Sequence, residues 1–155
     1  MRPSFPVEGG CPCGAVSYRL LEDPLELHIC HCMDCQRTSG SAFVMTMSAP
    51  RQALEVVQGR LATVSYETVE GFPRCDERCA VCYARLWSQN TRYPEIVAIR
   101  PGTFDDTSWL EPIAHLWTIR AQPFVVIPKG VLRFDRNPAD DLDLVWAWKG
   151  TASLS

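Results

Sequence analysis

The chain has 155 residues, a formal net charge of −3, 46% hydrophobic and 21% charged residues, and eight cysteines. That length fits one domain with a real core, and the composition is that of an ordinary globular protein. The acidic balance argues against a nucleic-acid surface, and no apolar run approaches the roughly 18 residues of a membrane span.

The start, Met1 to Glu8, lacks the apolar core of a signal peptide, so a soluble, cytoplasmic protein is expected. In a reducing compartment clustered cysteines read as metal ligands rather than disulfides. The 12 prolines and nine glycines favour strands and turns over long helices.

In chain order, Gly9-Gly10-Cys11-Pro12-Cys13-Gly14 is a tight turn that converges two thiols. Ala15 to Leu20 alternates as a strand, and Asp23-Pro24 marks a turn. Leu25 to Cys30 alternates again and delivers Cys30-His31-Cys32-Met33-Asp34-Cys35. If the strand continues, Cys30 and Cys32 share a face, His31 points away, and Cys35 returns after a short turn. Ala42 to Met47 resumes extended structure until Pro50. Leu54–Gln58 and Leu61–Thr68, separated by Gly59-Arg60, read as a hairpin with a two-residue loop. The third thiol cluster, Cys75/Cys79/Cys82, follows, then short strands at Leu86–Ser88, Ile96–Ile99 and Ile113–Ile119. Asp140 to Lys149 reads as a short terminal helix or a strand.

Cys79-Ala80-Val81-Cys82 is a common half-site for structural zinc and needs a second pair to close a tetrahedron. Cys11 and Cys13 are the simplest pair, leaving Cys30, Cys32 and Cys35 for an open site. Spacing does not force this partition, because Cys30/Cys32 with Cys79/Cys82 also works on paper. Cys75 is left over, either as a buried apolar residue or as a fourth ligand of the second site.

Gly9-Gly10-Cys11-x-Cys13-Gly14-Ala15-Val16-x-Tyr18, then Cys30-His31-Cys32-x-x-Cys35-x-Arg37-x-Ser39-Gly40-Ser41-Ala42-Phe43, then Cys79-x-x-Cys82-x-x-Leu86-Trp87 resembles the glutathione-dependent formaldehyde-activating enzyme family, which includes centromere protein V-like proteins. The resemblance runs from about residue 9 to 126 of one domain (1–155), with 127–155 as a C-terminal extension. It implies a mainly β, β-tent fold of small antiparallel sheets around a structural zinc on Cys11, Cys13, Cys79 and Cys82. It also implies a catalytic-type, labile zinc on Cys30, Cys32 and Cys35. The implied activity is a carbon–sulfur lyase reaction, the reversible condensation of glutathione with formaldehyde to S-hydroxymethylglutathione. His115 resembles the family's later histidine and is a candidate proton shuttle. The chain departs from the family at Tyr83, where glycine is usual, and at Gln36, where arginine is frequent. Arg78, the extra Cys75 and Phe124 depart as well. Together these point to a substrate other than glutathione.

A zinc with three thiolates is a weak Lewis acid but suits a soft incoming thiol, whose ionisation a metal favours. Arg37 is the local cation expected to balance the added charge, or else a solvated surface residue. Asp34 reads as a turn residue or a second-sphere acceptor, and His28 as structural. The expected partners are a small thiol, such as glutathione, and an aldehyde, with neither nucleic acid nor membrane. The alternative function is a non-catalytic zinc-binding protein-interaction module on the same scaffold. Thiol redox chemistry at Cys32/Cys35 would lack its usual βαβ setting.

Overall fold

The computed structural model describes residues 2–69 and 71–152. Val7–Gly10 (β1), Ser17–Leu20 (β2) and Leu54–Gln58 (β5) form a small antiparallel sheet in the order β1-β2-β5. The larger sheet takes Glu26–Cys30 (β3), Val44–Pro50 (β4), Leu61–Glu67 (β6) and Pro73–Cys79 (β7). Arg85–Asn90 (β8), Ile96–Ile99 (β9), Ala114–Leu116 (β10) and Leu132–Arg133 (β11) complete it. Its spatial order is β11-β10-β3-β4-β9-β8-β7-β6. Neighbours are antiparallel except at β10, which runs parallel to both β3 and β11. Two α-helices, Met33–Ser39 (α1) and Leu142–Ala152 (α2), lie among the described residues. None of the described helices is long and apolar enough to cross a membrane.

The two faces of the larger sheet divide by the period-two alternation of its strands. Leu27, Met47, Ala49, Trp87, Val97 and Ile99 point one way and pack with Tyr18, Leu20 and Leu54 of the small sheet. Tyr18 and Trp87 meet edge to face with centroids 5.5 Å apart. Each such buried side chain contributes roughly 1.5–3 kcal/mol, so this face carries most of the stability. The register pairs Glu26 with Ser48, His28 with Thr46 and Cys30 with Val44 on the opposite face. That face is polar, and α1, α2 and the turn after β6 stand over it.

The Leu54–Gln58 and Leu61–Glu67 strands form, but not as a hairpin: β5 pairs with β2 and β6 with β7. The chain crosses between sheets at Gly59. Its φ is +92°, and a Cβ there would lie 2.0 Å from the carbonyl oxygen of Ala15, so only glycine fits the crossing. The β3 strand ends at Cys30, and the expected turn before Ser39 is the helix α1, closed by Gly40 at φ 65°. The uncertain C-terminal stretch is helical. Its α2 is held by Arg2, which donates to the Trp148 carbonyl, stacks 3.8 Å over the Trp148 ring and pairs with Asp23 at 3.0 Å.

Candidate metal centres and active-site cleft

Cys11 and Cys13 sit in the turn between β1 and β2. Gly10 permits that turn, since a Cβ there would lie 2.5 Å from the Val16 carbonyl oxygen. Cys79 ends β7, and Cys82 lies in the turn beyond. The four sulfurs lie within 4.8 Å of one another, with Cys11–Cys13 at 3.4 Å and Cys13–Cys79 at 3.8 Å. Backbone N–H groups already point at them: Val16 donates to Cys11 Sγ at 3.2 Å, and Val81 and Cys82 donate to Cys79 Sγ at 3.3 and 3.5 Å. Donors so placed suit a metal-bound sulfur, whose lone pairs accept them.

Tyr83 closes this turn at φ +58°, the left-handed region that costs a non-glycine residue about 1–2 kcal/mol. Its side chain is 63% exposed, so little packing offsets that strain. Glycine would relieve it while losing about 0.5–1 kcal/mol of backbone entropy. Tyr83→Gly is therefore expected to raise the melting temperature by about 1–4 °C. A calorimetric scan showing no rise would place the strain elsewhere.

The second cluster straddles a strand end and a helix start. Cys30 is the last residue of β3, Cys32 is the N-cap of α1, and Cys35 is in its first turn. Their sulfurs also lie within 4.8 Å of one another, and the Cys35 N–H donates to Cys32 Sγ at 3.4 Å. Cys30 and Cys35 hold the Cys32 thiol down to about 2, while Cys32 and Cys35 drive that of Cys30 far upward. Three thiols this close cannot all ionise unaided, and a bound cation would let them.

The cluster forms one end of a cleft of about 400 Å³. Its floor is the polar face of the larger sheet. Glu26 Oε2 and His28 Nδ1 lie 2.7 Å apart. Arg100 Nη1 donates to Thr46 Oγ1 at 2.9 Å, and Arg74 donates through Nε and Nη2 to Ser88 Oγ at 3.2 and 2.9 Å. Asp76, 0% exposed, accepts Arg85 at 2.8 Å and Arg78 at 3.1 Å. Burial pulls the Arg100 guanidinium down to about 9, still cationic at neutral pH. Over the floor stand Asp34, Phe72, Tyr93, Trp117 and, from α2, Leu144 and Val145. Asp34 Oδ2 accepts the Val69 N–H at 3.1 Å, tying α1 to the turn after β6.

The structure brings together both sets of expected ligands but not the two other expected site residues. Arg37 is exposed near the end of α1 and outside the cleft lining. Helical spacing turns it from Cys35, and the arginines on the cleft lining are Arg74 of β7 and Arg120 of the turn after β10. His115 pairs with Ile29 on β3, the face opposite Cys30. There it shares a 2.8 Å hydrogen bond with His31, which is wholly buried rather than outward-facing. Burial, His31 and Arg133 pull His115 down to about 4, so it is neutral at pH 7, and its hydrogen-bond partner is His31 rather than a thiol. Gln36 is a brace: its Nε2 donates to the carbonyls of His31 and Arg120 at 2.7 and 3.0 Å. Cys75 joins neither cluster and lies 3.4 Å from Ser65 Oγ. Trp87 is core and Trp117 lines the cleft at φ +57°. Sequence reading missed Glu26 and His28 as site residues, although the period-two rule places both on the Cys30 face. Thr46, Ser88, Arg74 and Arg100 arrive through strand register, which no local motif announces.

Residues 6–120 match the profile of the family described as Glutathione-dependent formaldehyde-activating enzyme. A Halomonas elongata protein named "Putative glutathione-dependent formaldehyde-activating enzyme" is 33% identical over 96 residues, covering 59% of this chain and 60% of that protein. The match thus spans less than two thirds of that relative's length. The crystal structure of a Rhodobacter sphaeroides protein superposes with a TM-score of 0.50 at 22% identity, over 68% of this chain and 91% of the other. That likeness concerns the fold alone. The profile match contains all seven thiols of the two clusters, and the chain belongs to the glutathione-dependent formaldehyde-activating enzyme family.

Proposed function

We propose that the chain is a zinc-dependent carbon–sulfur lyase that joins a small thiol to formaldehyde and releases it in reverse, as S-hydroxymethylglutathione formation does. The observation that carries this reading is an accessible cleft ending on three clustered thiols, beside a separate four-thiol cluster. Zn²⁺ fits both donor sets. A tetrahedron with Zn–S bonds of about 2.3 Å has edges of about 3.8 Å, against sulfur spacings of 3.4 and 3.8 Å in the closed cluster. Cys11, Cys13, Cys79 and Cys82 would hold a structural ion, and Cys30, Cys32 and Cys35 a catalytic one with room for a further ligand. When bound, that ion supplies the positive charge that keeps an incoming thiol ionised at neutral pH.

The chain's own groups do the rest. The thiolate sulfur attacks the formaldehyde carbon, the carbon–sulfur bond forms, and the carbonyl electron pair moves to oxygen, which takes up a proton. Glu26 holds His28 Nδ1, leaving His28 Nε2 to take the proton that the thiol loses and pass it to that oxygen, and to return it in reverse. The guanidinium of Arg100, behind Thr46, offsets the negative charge gathered at the sulfurs. The test is formaldehyde consumption, followed by NMR with glutathione and other small thiols. The expected result is acceleration of at least tenfold over the uncatalysed condensation with at least one thiol. No acceleration with any thiol, in protein carrying two zinc ions, would sink the enzyme reading.

A further inference from the structure

The larger sheet gathers more positive charge beside the cleft than its own residues neutralise. Four guanidiniums, of Arg74, Arg78, Arg85 and Arg100, converge on the single carboxylate of Asp76. Asp76 is taken by Arg78 and Arg85. Arg74 and Arg100 have only hydroxyl partners, Ser88 and Thr46, and no carboxylate within ion-pair distance among the described residues. Of these two, Arg74 lines the cleft itself. Like charges held together out of water repel unless an anion joins them. Of the carboxylate residues on the lining, Glu26 is engaged with His28 and Asp34 with the Val69 N–H, while Asp141 stands just before α2.

We propose that Arg74 is the carboxylate anchor of this cleft, and that the thiol substrate is a mercapto acid whose carboxylate it takes. This rests on the thiol–formaldehyde reading above and names its substrate class. The sheet order supplies the span. Cys30 lies on β3 and Arg74 on β7, with β4, β9 and β8 between them. At about 4.8 Å per strand those backbones are roughly 19 Å apart. The long arginine side chain and the depth of the thiol cluster shorten this to a substrate span on the order of 10 Å or less. Between the ends, the Thr46 and Ser88 hydroxyls already accept hydrogen bonds from arginine. The lining also carries Ile96, Ala98, Leu116, Leu144 and Phe72, with the polar Ser48, Thr68 and Asn137 among them.

Hexanoate and hexanol, neither of which carries a thiol, test the anchor without any chemistry. In NMR titrations of the full chain, hexanoate is expected to bind at least tenfold more tightly than hexanol. Arg74→Gln should remove about 10- to 100-fold of the hexanoate affinity and leave that of hexanol unchanged. Arg74→Lys should recover part of the loss. In condensation assays with formaldehyde, 6-mercaptohexanoate should be preferred to 6-mercaptohexanol, and Arg74→Gln should erase that advantage. Equal binding of hexanoate and hexanol to the wild-type chain overturns the anchor, as does a preference that survives Arg74→Gln. If hexanoate binding depends on Arg74 but no thiol is condensed, the anchor stands and the lyase reading falls. If both mercaptans are condensed equally well, the lyase reading stands and the anchor falls.

Discussion

Cys79→Ser is expected to unfold the chain rather than merely weaken it. Cys79 is 0% exposed, lies in the main core, and contributes its sulfur to the four-thiol cluster. That cluster ties the turn of the small sheet, through Cys11 and Cys13, to the end of β7 in the larger one. A structural zinc in such a donor set supplies about 10–16 kcal/mol of apparent folding free energy. Whole domains retain a net stability of about 5–15 kcal/mol, so losing the ion removes as much as the chain has. The backbone N–H groups of Val81 and Cys82, aimed at Cys79 Sγ, would face a hydroxyl that binds zinc poorly. The expected result is loss of the cooperative thermal transition in circular dichroism and loss of tightly bound zinc. A Cys79→Ser chain that melts cooperatively near the wild-type temperature would show that the cluster does not carry the fold.

Cys32→Ser should separate chemistry from folding. Cys32 caps α1 and is partly exposed to the cleft, and serine is itself a good N-cap. The melting temperature should therefore stay within about 5 °C of the wild type. Condensation of thiol with formaldehyde should fall by roughly 10³-fold or more, the scale expected when an activated nucleophile loses its charge support. Zinc per chain should drop from two to one. Full activity with one zinc would remove the catalytic role from this cluster, and loss of both ions would show that the two clusters are not independent.

Much of this organisation was legible in the residues. The strands at Ser17–Leu20, Glu26–Cys30, Val44–Pro50, Leu54–Gln58 and Leu61–Glu67 follow runs that read as extended, and the three cysteine groups carry their own spacing, whereas Val7–Gly10 and Pro73–Cys79 read as a turn and a thiol cluster rather than as strands. Tyr83 stood out only through the resemblance, as a bulky residue where the family usually carries glycine. Local pattern failed where distant parts of the chain decide the outcome. Gly59 looked like a hairpin loop because two alternating runs flank it; the choice of partner strands, β2 and β7, is made by burial across two sheets. His31 and His115 looked separable, yet parallel pairing of β3 with β10 brings them together on the buried face. Arg74 and Arg100 stand 26 residues apart and carry no motif. Only the sequence of strands β7, β8, β9 and β4 across the sheet puts Arg74 on the cleft lining and Arg100 behind Thr46.

The helix α2 lies beyond the stretch that matches the family profile, which ends at residue 120, yet Leu144 and Val145 wall the cleft. The parts that would grip metal and the part that shapes the passage are thus carried by different lengths of chain. Mutation can reshape the passage through α2 while every thiol stays where it is. Descendants of one ancestral thiol scaffold could in this way exchange clients by rewriting a tail, with no intermediate that has lost its metal or its fold.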